Sequence, residues 1–266
     1  MAFDVLFIIA ILAAAIVPPL IYLIWVRDTE VCRREPYSAL LRAFLFGATI
    51  SVAISYVVES LAMTILYSGN SPLALGFWNF APFDPTLQTV ILAVIIAPVV
   101  EETAKALGVL NSSRRILEIE DGIIYGAAVG LGFAAAENIL YLASAMTEGV
   151  EVFALTAVVR ALTSTVLHAS ATAIVGYGIA LAIFSRRSGM YKSWWPYLLM
   201  AILLHASFNL FATLSLLFTS AETLSALLGL ALSFLLSWTI FTLMRRKIRQ
   251  LDRVAPSIEG PKTGPL

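Results

Sequence analysis

From Phe3 to Val26 the chain is an apolar run with one early charge, Asp4. Six more runs follow, at Ser38 to Tyr67, Thr86 to Leu110, Ile123 to Ala145, Val152 to Phe184, Trp194 to Phe218 and Leu224 to Met244. About 20 predominantly apolar residues cross the hydrocarbon core of a bilayer as a helix. In that medium every backbone N–H and C=O must be satisfied within the protein, which leaves helices or a closed barrel. Long continuous runs without period-two alternation select helices. The expected fold is therefore all-α, a polytopic membrane helix bundle of about seven transmembrane helices in one domain, residues 1–244. Residues 245–266, basic and then rich in Pro and Gly, are expected to form a disordered cytoplasmic tail. Composition agrees: 60% of residues are hydrophobic and 13% charged, against about half and about a quarter in soluble domains.

Charge segregation orients the bundle. The odd-numbered loops and the C-terminal segment hold Arg27, Arg33, Arg34, Arg42, Arg114, Arg115, Arg186, Arg187, Lys192 and the basic residues after Met244, whereas the even-numbered loops hold no Lys or Arg. The positive-inside rule then places the N-terminus outside and the C-terminus in the cytoplasm of a multi-pass protein of the cell membrane. The first run is not read as a cleaved signal, because its basic cluster follows the apolar core instead of preceding it. The loop from Ser68 to Pro85, with Trp78, Phe80 and Phe83, has the composition of an interfacial segment. Cys32 is the only cysteine, so no internal disulfide forms, and a net charge of zero gives no sign of nucleic acid.

Ionisable residues inside the runs are few. A charge at the bilayer centre costs at least about 2.5 kcal/mol, so such residues mark function by default. Ala97-Pro98-Val99-Val100-Glu101-Glu102-Thr103-Ala104-Lys105 holds three of them, with Glu101 and Lys105 one helical turn apart and Pro98 loosening the turn before. The fourth run carries Glu137 and Asn138, the fifth Arg160 and His168, the sixth His205 and Asn209. Both histidines of the chain thus lie within apolar helices. At a rise of about 1.5 Å per residue, Glu101, Glu137, His168 and His205 fall roughly 15 to 25 Å from the basic ends of their helices, one layer near mid-membrane. Arg160 and Glu59 fall in the same leaflet half, where a salt bridge or a shared water cavity is expected. Gly126 and Gly130, at four-residue spacing, are read as a helix-packing seam.

One carboxylate and two imidazoles suit an open His₂Glu Zn²⁺ site, with Glu137, His168 and His205 as ligands and Glu101 as general base, supported by Glu102 and Lys105. Without metal the same residues still make a hydrolase, a carboxylate activating water while His and Asn209 stabilise the oxyanion. The chain has no nucleophile elbow, His-Glu-x-x-His helix or Walker loop. Two other classes use similar residues. In a membrane scaffold, Glu and His would only hold helices together, all mutually paired and without a cavity. A proton-coupled transporter would be marked by an internal repeat, and none is visible.

Taken in order, Glu-Glu-x-x-Lys (Glu101, Glu102, Lys105), Phe-x-x-x-Glu-Asn (Phe133, Glu137, Asn138), His168 and His205-Ala-Ser-Phe-Asn209 resemble the motifs of the PrsW family of intramembrane proteases. That family is related to the CAAX-prenyl protease and bacteriocin-immunity superfamily and, more distantly, to the APH subunit of gamma-secretase. The resemblance covers the runs from Thr86 to Phe218. It implies a polytopic peptidase that cuts a membrane-tethered protein, as PrsW proteins cut an anti-sigma factor. CAAX-type members have His where this chain has Glu137, which favours the PrsW branch.

Overall fold

The computed structural model describes residues 5–67 and 84–253. The expected interfacial loop, apart from its last residues, and the segment after Arg253 lie outside the described residues. Among the described residues every regular element is helical, with six helices long and apolar enough to cross a membrane. In chain order these are α1 (Val5–Arg27), α2 (Tyr37–Phe46) continued through a π-helical turn (Gly47–Ser51) into α3 (Val52–Tyr67), α6 (Ile119–Glu148), α7 (Val150–Leu162) followed by α8 (Ser164–Arg187), α9 (Trp195–Ala212) and α11 (Glu222–Asp252). The third apolar run is helical too, but it is broken into α4 (Pro85–Ile91), a π-helical turn (Leu92–Ile96) and α5 (Ala97–Asn111). Short α10 (Leu214–Leu217) and two 3₁₀ turns complete the path.

The irregularities have local causes. Asp84 caps α4, its carboxylate accepting from the amides of Thr86 and Leu87. Pro98 has no N–H to give to the carbonyl four residues back, and the wide turn lies directly before α5. The loosening expected from Pro98 is thus observed as a π turn. The fifth run is not one continuous helix. It breaks at Thr163 (φ −122, ψ −78), and the Leu162 carbonyl accepts from the Trp238 indole at 2.8 Å. Neither Gly nor Pro marks this break. At the far end, α11 continues past Met244 to Asp252, whose carboxylate accepts from the amides of Val31 and Cys32 at 3.0 and 3.1 Å. The helix therefore extends into the segment that the sequence pattern assigns to the tail.

At the centre of the bundle α6 packs on α8. Both are mostly buried, while α1, α3, α9 and α11 turn Leu, Ile, Val and Phe side chains outward, as helices facing lipid do. The seam follows from glycine. A Cβ on Gly126 would lie 2.4 Å from the Thr172 carbonyl oxygen, and one on Gly130 would lie 2.1 Å from that of His168. The packing role expected of these two glycines is observed, and it brings the backbone of α6 directly against the turn that carries His168.

Candidate active site

Four helices deliver the polar residues to one point. Glu101, Glu102 and Lys105 come from α5, Glu137 and Asn138 from α6, His168 from α8, and His205 and Asn209 from α9. They abut a cavity of about 470 Å³ whose wall includes Glu59, Glu101, Phe133, Glu137, Arg160, His168, His205 and Asn209. Glu102 and Lys105 stand behind this wall. The Glu101 side chain keeps 9% of its surface exposed, whereas those of Glu102 and Lys105 keep none. The two adjacent glutamates, indistinguishable by residue type, therefore differ in access: Glu101 reaches the cavity and Glu102 does not.

Lys105 is the hub. Its Nζ lies 2.7 Å from Glu102 Oε1, 3.2 Å from Glu101 Oε2 and 2.9 Å from His168 Nδ1, and 4.2 Å above the Phe133 ring. An ammonium only donates, so His168 accepts at Nδ1 and carries its proton on Nε2, which donates to Glu137 Oε2 at 2.8 Å. His205 Nδ1 lies 2.9 Å from Glu102 Oε1. A carboxylate only accepts, so that nitrogen carries a proton, and in the neutral ring Nε2 keeps the lone pair. Each imidazole is thus oriented by its own carboxylate, the arrangement that fixes the tautomer of metal-binding histidines. Thr172 Oγ1 donates weakly to the other oxygen of Glu102, at 3.4 Å.

Glu137, expected among the ligands, has a different environment from Glu101. Its Oε2 also accepts from Arg160 Nη2 at 2.8 Å, and Arg160 further donates to Asn138 Oδ1 at 2.6 Å and Ser164 Oγ at 3.1 Å. The carboxylate that joins both imidazoles within ligand reach is Glu101: one donor atom from each of Glu101, His168 and His205 lies within 4.8 Å of the others. This donor set, a carboxylate with two neutral imidazoles beside a cavity, fits a divalent metal. Glu137 meets His168 through Nε2 and Arg160 through its guanidinium. Helical periodicity placed Glu137 on an inward face but carried no information on which neighbouring helix that face meets.

Arg160 and Glu59 both line the cavity, as expected of a shared space, but the ion pair of Arg160 is with Glu137. The guanidinium also stacks 3.8 Å from the Tyr141 ring centroid. Among the described residues Glu59 Oε1 has no hydrogen-bond partner. Asn209, expected near the oxyanion, donates through Nδ2 to the Ala93 carbonyl at 2.7 Å. It thereby ties α9 to the π turn, where a carbonyl displaced from the regular ladder needs a donor. Apart from Glu59 Oε1 these polar groups are paired, as a scaffold would have them, yet an open cavity reaches six Glu, Arg and His side chains.

Comparison with known proteins agrees with this geometry. A family model described as PrsW family intramembrane metalloprotease matches residues 35–243, which include every residue of the cavity wall. A curated Protease PrsW from Clostridioides difficile (strain 630) is 31% identical over 202 residues, covering 73% of this chain and 76% of the relative. Another Protease PrsW, from Bacillus subtilis (strain 168), is 29% identical over 204 residues, 77% of this chain and 83% of the relative. No solved structure matches the chain. A match of this extent, over helices that converge on carboxylates and imidazoles at a buried cavity, assigns the chain to the PrsW family of intramembrane metalloproteases.

Proposed function

We propose that the protein hydrolyses a peptide bond of a membrane-tethered protein at the cavity wall, with Glu101, His168 and His205 holding a Zn²⁺ ion. The observation that carries this reading is the convergence of their donor atoms within 4.8 Å beside a cavity of about 470 Å³. Bound there, Zn²⁺ would polarise the scissile carbonyl and lower the pKa of an attacking water. The protein's own groups do the rest. Glu137 and Glu102 take the N–H of one imidazole each and keep the two rings turned to the site. Arg160 holds Glu137 in place, and Lys105 draws Glu101 and Glu102 together. Glu59, whose Oε1 has no hydrogen-bond partner among the described residues, is the cavity carboxylate placed to exchange a proton with substrate or water.

Charge supports the ion. With both imidazoles neutral, Glu101, Glu102 and Glu137 outnumber Lys105 and Arg160. A divalent cation offsets this excess, and it competes with the Lys105 ammonium for His168 Nδ1. Purified protein should therefore carry about one Zn²⁺ per active site, and His168→Ala and His205→Ala should each lose it. Metal analysis beside a cleavage assay decides the matter: an active preparation that is metal-free and indifferent to chelators removes the ion and leaves Glu101 as a carboxylate that activates water directly.

The orientation we propose has the N-terminus outside, on the strength of the Lys and Arg distribution. Exposed Cys32 supplies a native probe. In intact cells a membrane-impermeant thiol reagent should leave Cys32 unlabelled, while a cysteine introduced at Gly69 should react. The reverse labelling would invert the topology.

A further inference from the structure

A second group of carboxylates lies apart from the cavity, at the end of the bundle where the loop after α1 meets the first turn of α6. Glu30 in that loop is fully buried, and neither of its carboxylate oxygens has a hydrogen-bond partner among the described residues. Asp121, also fully buried, accepts with Oδ2 from the amides of Leu117 and Glu118 and leaves Oδ1 unpartnered. Glu118 receives the amide of Asp121 in a reciprocal capping box, and its Oε2 is likewise without a partner. One oxygen from each of Glu30, Glu118 and Asp121 lies within 4.8 Å of the others.

The basic residues of the loop do not neutralise this group. Arg34 Nε donates to the backbone carbonyl of Glu30 at 3.0 Å, and Arg27 Nε to that of Glu35 at 2.7 Å. Only Arg33 approaches a carboxylate of the group, 3.8 Å from the outer oxygen of Glu118. Glu35 is no acceptor to spare, since it takes the Tyr125 hydroxyl. Burial first, and then the charges of Asp121 and Glu35, push the Glu30 carboxyl up to about 8. Carboxylates packed this closely need a proton or a cation between them.

We propose that Glu30, Glu118 and Asp121 bind a hard divalent cation of the Mg²⁺ or Ca²⁺ class, at a site separate from the peptidase centre. One oxygen from each carboxylate converges there, and each of the three side chains carries an oxygen without a hydrogen-bond partner among the described residues, while the amides of the same segment are already used. An all-oxygen donor set favours hard ions over Zn²⁺, which the imidazoles of the cavity suit better. The ion joins the loop after α1 to the start of α6, the helix that carries Glu137. Asp252 already clasps the same loop from α11 through Val31 and Cys32.

The test uses full-length protein in detergent micelles, stripped with a chelator and titrated with Mn²⁺ as a spectroscopic probe. A His205→Ala background removes the competing cavity site. In that background one saturable Mn²⁺ should remain, displaceable by Mg²⁺ or Ca²⁺. Adding Glu30→Gln should weaken it at least about tenfold. Glu118→Gln should do the same and serves if Glu30→Gln folds poorly. Added Mg²⁺ or Ca²⁺ should raise the melting midpoint of the wild type but not of Glu30→Gln. Equal Mn²⁺ binding with and without Glu30 overturns the site. So does a wild-type midpoint that ignores both cations and rises only as the pH falls, which would show that the carboxylates share protons instead.

Discussion

Glu101→Gln will lower peptidase activity by a factor of roughly 10³ or more while leaving the bundle folded. Glutamine keeps the size of the side chain and one acceptor oxygen, so packing against α9 is preserved. Lys105 keeps its shorter contact, 2.7 Å to Glu102 against 3.2 Å to Glu101. What is lost is the charged oxygen that faces the cavity. Cleavage of a tethered reporter in membranes, read beside a size-exclusion profile of the variant, separates activity from folding. Metal content then assigns the role. Loss of the ion in Glu101→Gln makes Glu101 a ligand, and retention of the ion makes it the base, with Glu137 as the third ligand. A variant that still cleaves at more than about a tenth of the wild-type rate would remove Glu101 from the chemistry altogether. Glu102→Gln should behave differently, lowering folded yield more than rate per folded molecule, because its carboxylate touches Lys105 and His205 and not the cavity.

Removing Lys105 should produce the largest change in stability. Its side chain is fully buried and contacts Glu101, Glu102 and His168 together. Lys105→Met fills similar volume but leaves buried carboxylates without their cation, a loss of about 3–5 kcal/mol. Lys105→Met/Glu102→Gln should recover part of it, since the deepest charge of the pair is then gone. Unfolding in mixed micelles measures both variants, and with Glu102→Gln alone and the wild type they close the cycle that gives the coupling energy. If Lys105→Met alone falls within about 1 kcal/mol of the wild type, the pair contributes little beyond packing.

How much of this was legible beforehand varies by residue, for physical reasons. Glu101, Lys105, His168 and His205 announced themselves because an ionisable group inside an apolar helix is costly wherever it sits. Pro98 announced the π turn, because a missing N–H disturbs any helix. Gly126 and Gly130 announced the α6 and α8 seam through their spacing. The break at Thr163 did not show, since a backbone turn stabilised by a distant indole leaves no mark in its own segment. Its only local trace is the polar Thr163-Ser164-Thr165 run after Arg160. Partner choice was hidden as well. Periodicity gives the face of each helix but not the rotation of one helix against another, and that rotation decided that Arg160 met Glu137 instead of Glu59 and that Glu101 met the imidazoles. The end of α11 escaped because charge after Met244 reads as tail, whereas Asp252 is held by the amides of Val31 and Cys32.

The glycine seam has a mechanical meaning. Where Gly126 and Gly130 lie against the Thr172 and His168 carbonyls there is no side chain left to compress or re-pack, so α6 and α8 move as one piece and the Glu137 to His168 spacing stays constant. Glu101 sits on α5, directly after the π turn, and His205 on α9, which Asn209 ties to that turn. The site therefore resembles a vice with one jaw closed backbone to backbone and the other held through side chains. A Cβ added at Gly126 or Gly130 would therefore have to move the backbone of α8 and His168 with it, whereas the α5 and α9 side meets the site through side chains.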